Sequence, residues 1–400
     1  MKTRYLICFV LVWVLAIPSF VSSKEPYKIG AVFSVTGPAS FLGDSQKKTV
    51  LMIQEWINQG GGVNGHPLEV IIEDSKSDET QAFLSAKKLL EKDQISIFIG
   101  SSTTGESMAI VPIMEKATTP MISCAAALSI VTPEDEMKRI IESPRAAYEK
   151  PLKQRHWIFK TPQPDTAAVE AIYEYMKKKG ISKAALLTVT AAYGDFGRQE
   201  MKRIAPRFGI TIVADERYGP KDIDMVAQLT RIKGTDAQAI INWSVGPTAV
   251  VVTKNWKDLQ FKIPLYQSHG FGAKRNIELA GGAAEGVLTP QARIVIAEKL
   301  PDTHPQKPIL LKYKKEYEGR YKEPVGPFGG LAWDAFYLAV DALKAVGPGK
   351  AKIRDHLENK IKNWPGVGGI FNMSPADHTG VGVESFEMIV VEKGDWAFAK

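Results

Sequence analysis

The chemistry-bearing residues of this 400-residue chain are thinly spread. Its six histidines, His66, His156, His269, His304, His356 and His378, fall at intervals that match no metal-ligand spacing. No G-x-S-x-G, H-E-x-x-H or G-x-x-x-x-G-K-S/T occurs, and no triad or carboxylate pair stands out, although spatial pairs are not visible at this level. Gly60 to Gly65 (GGGVNG) satisfies G-x-G-x-x-G. A dinucleotide loop follows a strand and opens a helix, whereas this one follows a helix ending near Asn58 and opens a strand at Leu68. It therefore reads as a helix C-cap and turn. The stretch from Val32 to Lys48 poses a sharper question. An apolar run from Ile29 to Val35 stops at Thr36-Gly37-Pro38, and a helix-like segment follows Gly43, the layout of many phosphate loops. No lysine is placed to meet a phosphate, so phosphate is not the expected ligand. Neither catalysis nor a cofactor nor a metal site is expected.

These residues sit on an alternating scaffold. Strands are predicted at Lys28–Val35, Leu68–Glu73, Ile95–Ile99, Met121–Ser123, Ala184–Thr190, Ile210–Ala214, Ala239–Trp243 and Leu265–Gln267. Helices are predicted between them at Ser45–Asn58, Thr80–Glu91, Glu106–Lys116, Ala167–Lys179, Gly197–Phe208, Ile223–Ile232 and Thr248–Leu259. Strands rich in Ile and Val alternating with helices imply parallel sheets covered on both faces. The alternation breaks at Pro133 to His156, a run crowded with charge that includes Glu134, Asp135, Lys138, Arg139, Arg145 and Glu149. Met137, Ile140 and Ile141 have the spacing of a short helix packed inward within it. The rhythm restarts at Trp157, as if one α/β unit ended and another began. Two such units facing each other form a cleft at the carboxyl ends of their strands.

The first 23 residues read as a cleaved signal peptide: Lys2 and Arg4, an apolar block from Tyr5 to Ile17, and small residues at Val21-Ser22-Ser23. The block is short for a membrane span, though an uncleaved anchor is the alternative. Cleavage removes two positive charges, so the formal +7 becomes +5. Basic residues are interspersed with acids, which argues against nucleic acid as a partner. Cys124 alone remains after cleavage, so an internal disulfide is excluded.

The order of short motifs carries a resemblance: KIGAVFSVTGPASFLG (Lys28 to Gly43), INQGGGVNG (Ile57 to Gly65), EDSKSD (Glu73 to Asp78), IGSSTT (Ile99 to Thr104), PMIS (Pro120 to Ser123), AYG (Ala192 to Gly194) and AAEG (Ala283 to Gly286). Together they resemble the type I periplasmic solute-binding proteins of ABC importers, in the leucine/isoleucine/valine-binding branch. The resemblance covers nearly the whole mature chain. It implies two doubly wound parallel-sheet lobes joined by three crossover strands, with residues 24–158 and 290–369 in one lobe and 159–289 and 370–400 in the other. It implies a periplasmic monomer that closes on a small solute and hands it to an inner-membrane permease. A ligand-sensing ectodomain of the same fold is the alternative.

The resemblance also implies site residues. The loop from Thr36 to Gly43 borders the cleft, with Phe41 and Leu42 offering apolar surface. The hydroxyl that bonds a solute carboxylate falls on Thr104, with Thr103 beside it; a helix start near Gly105 makes an anion cradle there, and an ordinary N-cap at the same place is the plain alternative. The loop that takes an ammonium reads Ser123-Cys124-Ala125-Ala126-Ala127. Its carbonyl position is Ala125, and Ala127 stands where a threonine hydroxyl is usual. Tyr193 matches the aromatic residue that packs on the solute. Trp243 and Ser244 border the second lobe's cleft face. His269 stands in the acidic slot that pairs with the ammonium. With a hydroxyl and a carboxylate both replaced, an α-amino acid is disfavoured against an amine-free carboxylate, such as an aromatic or aliphatic acid.

Overall fold

A computed structural model describes residues 24–143 and 150–400. The expected leader, and Arg145 and Glu149 of the charged stretch, lie outside the described residues. Five strands form the first sheet: β1 (Tyr27–Phe33), β2 (Leu68–Asp74), β3 (Ile97–Gly100), β4 (Met121–Ser123) and β5 (Ile158–Lys160), in the spatial order β2-β1-β3-β4-β5. All its pairings are parallel. Helices α1 (Ser40–Gln59), α2 (Glu79–Glu91), α3 (Thr104–Lys116) and α4 (Glu134–Glu142) belong to this unit.

Seven strands form the second sheet. These are β6 (Lys183–Val189), β7 (Thr211–Tyr218), β8 (Ala239–Trp243), β9 (Leu265–Gln267), β10 (Leu288–Ala292), and an antiparallel edge, β13 (Phe386–Glu392) and β14 (Asp395–Phe398). A small pair, β11 (Trp364–Pro365) and β12 (Ile370–Phe371), stands apart. Helices α5 (Asp165–Lys178), α6 (Ala192–Ile204), α7 (Val226–Lys233), α8 (Pro247–Asp258) and α9 (Lys274–Ala280) serve the second unit. The chain then returns: α10 (Lys307–Tyr321), α11 (Pro327–Val346) and α12 (Lys350–Lys360) follow, and α11 packs along α1. The chain thus passes between the two units three times: after β5, after β10 and before β13.

The parallel interior strands read as continuous apolar runs because both faces are covered. Ile29, Ala31, Val32 and Phe33 of β1 are all fully buried. The glycine run behaves as a turn. Gly60 caps α1, Gly62 has φ +77°, and a β-carbon there would meet the His66 carbonyl oxygen at 2.1 Å before the chain enters β2.

Three local expectations change. Helix α1 begins at Ser40, so Phe41 and Leu42 lie in its first turn rather than in a loop; Ala39 precedes it without a side-chain cap, which left no sequence signal. Within α4, Met137 and Ile140 face inward but Ile141 is exposed, because it lies about 100° round the helix from Ile140. The strand after the charged stretch does not open the second unit. It pairs with β4 and completes the first sheet, so it spans the expected boundary at residue 158, as β10 spans that at residue 290.

Helix α2 has a strong local start. Asp78 is extended (φ −120°, ψ 130°) and its Oδ1 accepts the Gln81 N–H at 2.8 Å. Asp78→Ala is expected to lower stability by about 1 kcal/mol, read as a shifted denaturation midpoint.

Candidate functional site

The carboxyl ends of β1, β3 and β4 face those of β6, β8 and β9 across a cavity that opens to solvent. The first unit supplies Leu42, Ser102-Thr103-Thr104 and Cys124-Ala125-Ala126; the second supplies Tyr193, Val245, His269 and Phe386. Pro162, Gln163, Gln291 and Ala292 come from the crossings or their approaches, and Pro327, Phe328 and Leu331 from the start of α11. No aspartate or glutamate lines the cavity among the described residues.

On the first wall, Thr103 is the N-cap of α3. Its Oγ1 accepts the Glu106 N–H at 3.3 Å, and its own N–H donates to the Glu106 carboxylate at 3.2 Å. The cap therefore sits one residue before Thr104. Glu106 is held below the wall, where it also accepts the hydroxyls of Ser34 and Ser75, each at 2.7 Å. With the capping box spent on Thr103 and Glu106, the Thr104 and Gly105 N–H groups have no partner inside the helix. The Thr104 N–H lies at its positive end on the cavity wall, a place suited to an anion, whereas Gly105 is off the wall and has the Glu79 carboxylate against it. Ser102 is committed elsewhere: its Oγ donates to Gln46 Oε1 at 2.5 Å and accepts the Ser34 N–H at 2.9 Å. Ser123 is likewise tied, to Ser107 Oγ at 2.8 Å and to the Ala125 N–H at 3.1 Å. Burial pushes the Cys124 thiol far up, with Asp334 adding in the same direction, so it lines the wall as a small apolar group.

On the second wall the Tyr193 hydroxyl lies 3.3 Å from His269 Nδ1, with the rings edge-on. Trp243 stands behind both, its centroid 5.8 Å from each. His269 keeps part of its surface toward the cavity but sits deep in the protein. Burial, reinforced by the positive charge of Lys160, pushes its pKa down to about 3, so the ring is neutral at neutral pH. Its Nε2 has no hydrogen-bond partner among the described residues. Lys160, fully buried at the end of β5, donates to the Pro162 carbonyl at 2.6 Å. Burial pulls its pKa down, and burial pushes that of neighbouring Asp165 up. Both Asp165 carboxyl oxygens lack partners among the described residues.

Of the residues expected at the site, the structure brings Leu42, Thr103, Thr104, Ala125, Tyr193 and His269 to the cavity wall. Phe41, Ala127 and Trp243 are not on it. Ala127 is fully buried beneath the wall, before the short turn at Leu128–Ile130. Trp243 is fully buried against Gly197 of α6, whose missing β-carbon leaves room for the indole. Ser244 is turned inward to Asn242, and Val245 takes the wall position instead. Phe41 meets Phe328 edge-on at 5.9 Å, at the rim. Sequence reasoning missed Gln163, Gln291, Phe328 and Phe386. The first two lie at crossings, and only the fold brings them together. Phe328 had one signal, the helix start Gly326-Pro327.

A match to the family described as periplasmic binding protein spans residues 26–394. The chain is 24% identical over 333 residues to the leucine-, isoleucine-, valine-, threonine-, and alanine-binding protein of Pseudomonas aeruginosa, which covers 82% of this chain and 81% of that one. Among solved structures, an extracellular ligand-binding receptor from Rhodopseudomonas palustris HaA2 superposes with a TM-score of 0.83 at 28% identity, covering 94% of this chain and all of the other. The branched-chain amino acid transporter substrate binding protein LivJ from Streptococcus pneumoniae, in complex with isoleucine, superposes with a TM-score of 0.77 at 23% identity, covering 94% and 99% of the two chains.

Proposed function

This chain belongs to the periplasmic binding proteins, in the type I leucine/isoleucine/valine-binding family, and we propose that it captures an amine-free carboxylate with an apolar body by lobe closure. The carboxylate takes the Thr104 N–H at the start of α3 and the Thr104 hydroxyl. The body lies along Leu42, Phe328, Leu331 and Phe386. Neutral His269 and Tyr193 close the far end. Binding shifts an open–closed equilibrium, and the closed form docks on an ABC permease. The chain acts as a periplasmic monomer after cleavage behind Ser23, and performs no covalent chemistry.

The observation that carries the reading is the composition of the wall. It offers donors at one end, an apolar middle and no carboxylate among the described residues. A solute ammonium would be left without the charged acceptor it needs.

A thermal-shift screen of the purified protein against amino acids, aliphatic and aromatic carboxylates, amides and urea tests it. Carboxylates at a hundred times their dissociation constant should add roughly 2.7 kcal/mol of stability. Stabilisation by amides or urea with none by any carboxylate would overturn the reading.

A further inference from the structure

Phe41 and Gly246 face each other across the rim of the cavity. A β-carbon at Gly246 would stand 2.6 Å from both Cε1 and Cζ of the Phe41 ring, so the ring rests on bare main chain of the opposite lobe. Gly246 has φ +72° and ψ −141°, a conformation that a side chain would strain, and it is the residue from which α8 starts. Each partner's neighbour, Leu42 on one side and Val245 on the other, lines the cavity, while Phe41 and Gly246 themselves do not. Phe328 backs the Phe41 ring from the first lobe, edge-on at 72°. Among the described residues, no hydrogen bond or ion pair joins the segment 37–42 to the segment 244–247. The contact between these two lips is therefore apolar.

We propose that Phe41 is a positioning residue for closure, an aromatic clasp that seats on Gly246 and holds the lobes together without touching the solute. The proposal rests on the solute-capture reading above. A solute's apparent affinity scales with the population of the closed form. A contact made only in that form raises affinity by the same factor for every solute. A residue that touches the solute changes the ranking of solutes instead. Removing the ring should therefore weaken all solutes alike, by about tenfold, because it takes away part of the burial of one aromatic side chain.

The test uses the mature full chain with two amine-free probes, 4-methylpentanoate and 3-phenylpropanoate, which differ in body shape. Phe41→Ala is expected to weaken both by a common factor near ten, mostly through faster dissociation in stopped-flow, with only the small fall in thermal unfolding that loss of the Phe328 ring contact brings in the absence of probe. Gly246→Ala is expected to weaken both as well. The double variant should lose less than the product of the two single losses, since the added methyl meets no ring once Phe41 is gone. Losses that differ more than threefold between the probes would make Phe41 a solute contact and overturn the clasp. Unchanged binding in Phe41→Ala beside a wild type that binds would overturn the clasp alone. A wild type that binds neither probe would overturn the solute reading and the clasp with it.

Discussion

In calorimetric titration, 4-methylpentanoate and 3-phenylpropanoate are expected to bind at least a hundredfold more tightly than leucine and phenylalanine, the same bodies carrying an α-ammonium. A buried ammonium without its acceptors loses on the order of several kcal/mol, and about 2.7 kcal/mol already makes a hundredfold. The acids near the cavity are held away from it. Glu106 lies under the first wall, bonded to Ser34, Ser75 and Thr103. Asp334 sits behind Leu331, accepting the N–H groups of Val367 and Gly368 at 2.6 Å each. Asp165 is fully buried, two residues beyond Gln163, and is not on the wall. Asp165 is the one acid whose oxygens lack partners among these three, and it gives the contrary outcome a structural meaning. Tight leucine binding that is lost in Asp165→Asn would make Asp165 the ammonium acceptor and refute the preference. His269→Glu is the companion variant: it should weaken the acids and recover part of the binding of leucine.

The second large effect is on pH dependence. An unfolded chain takes up a proton at His269 as pH falls through about 6.5, whereas the buried folded-state ring stays neutral down to about 3. Between those values the unfolded state binds more protons, so this group's contribution is fully present above pH 6.5 and is lost as pH falls. By pH 5 the loss is on the order of 2 kcal/mol. Burial lowers His378 too, which adds a share of the same sign. Equilibrium unfolding at pH 7 and pH 5 should therefore show a steeper loss in the wild type than in His269→Gln, which keeps His378 but lacks the ring. Equal losses in the two proteins would show that His269 is protonated in the folded chain.

Much of the architecture was legible because parallel α/β units write their elements in blocks. The short strands β4, β8 and β9 were placed to the residue, since each is a compact apolar run ended by a polar or small residue. The loops after β3, β4 and β9 could then be located, and they carry Thr103, Thr104, Ala125 and His269. Trp243 was misplaced for a reason the sequence itself contains. In period two it shares a face with Ala239 and Ile241, beside Ala184 and Leu186 of the neighbouring strand, and that face packs into the second lobe's core. Phe41 was misread because α1 begins without a capping side chain, so its first turn looked like loop. Gln163, Gln291 and Phe386 were invisible because 128 and then 95 residues separate them in sequence. Their approach depends on the repeated passage of the chain between lobes, a tertiary property that no local pattern encodes.

A solute held between the lobes by their closure must change the shape of the molecule. Small-angle scattering of the mature chain, with and without a saturating amine-free carboxylate whose binding calorimetry has established, tests it most directly. A smaller radius of gyration in the bound state is the predicted result. Calorimetric binding with an unchanged scattering profile would contradict the account.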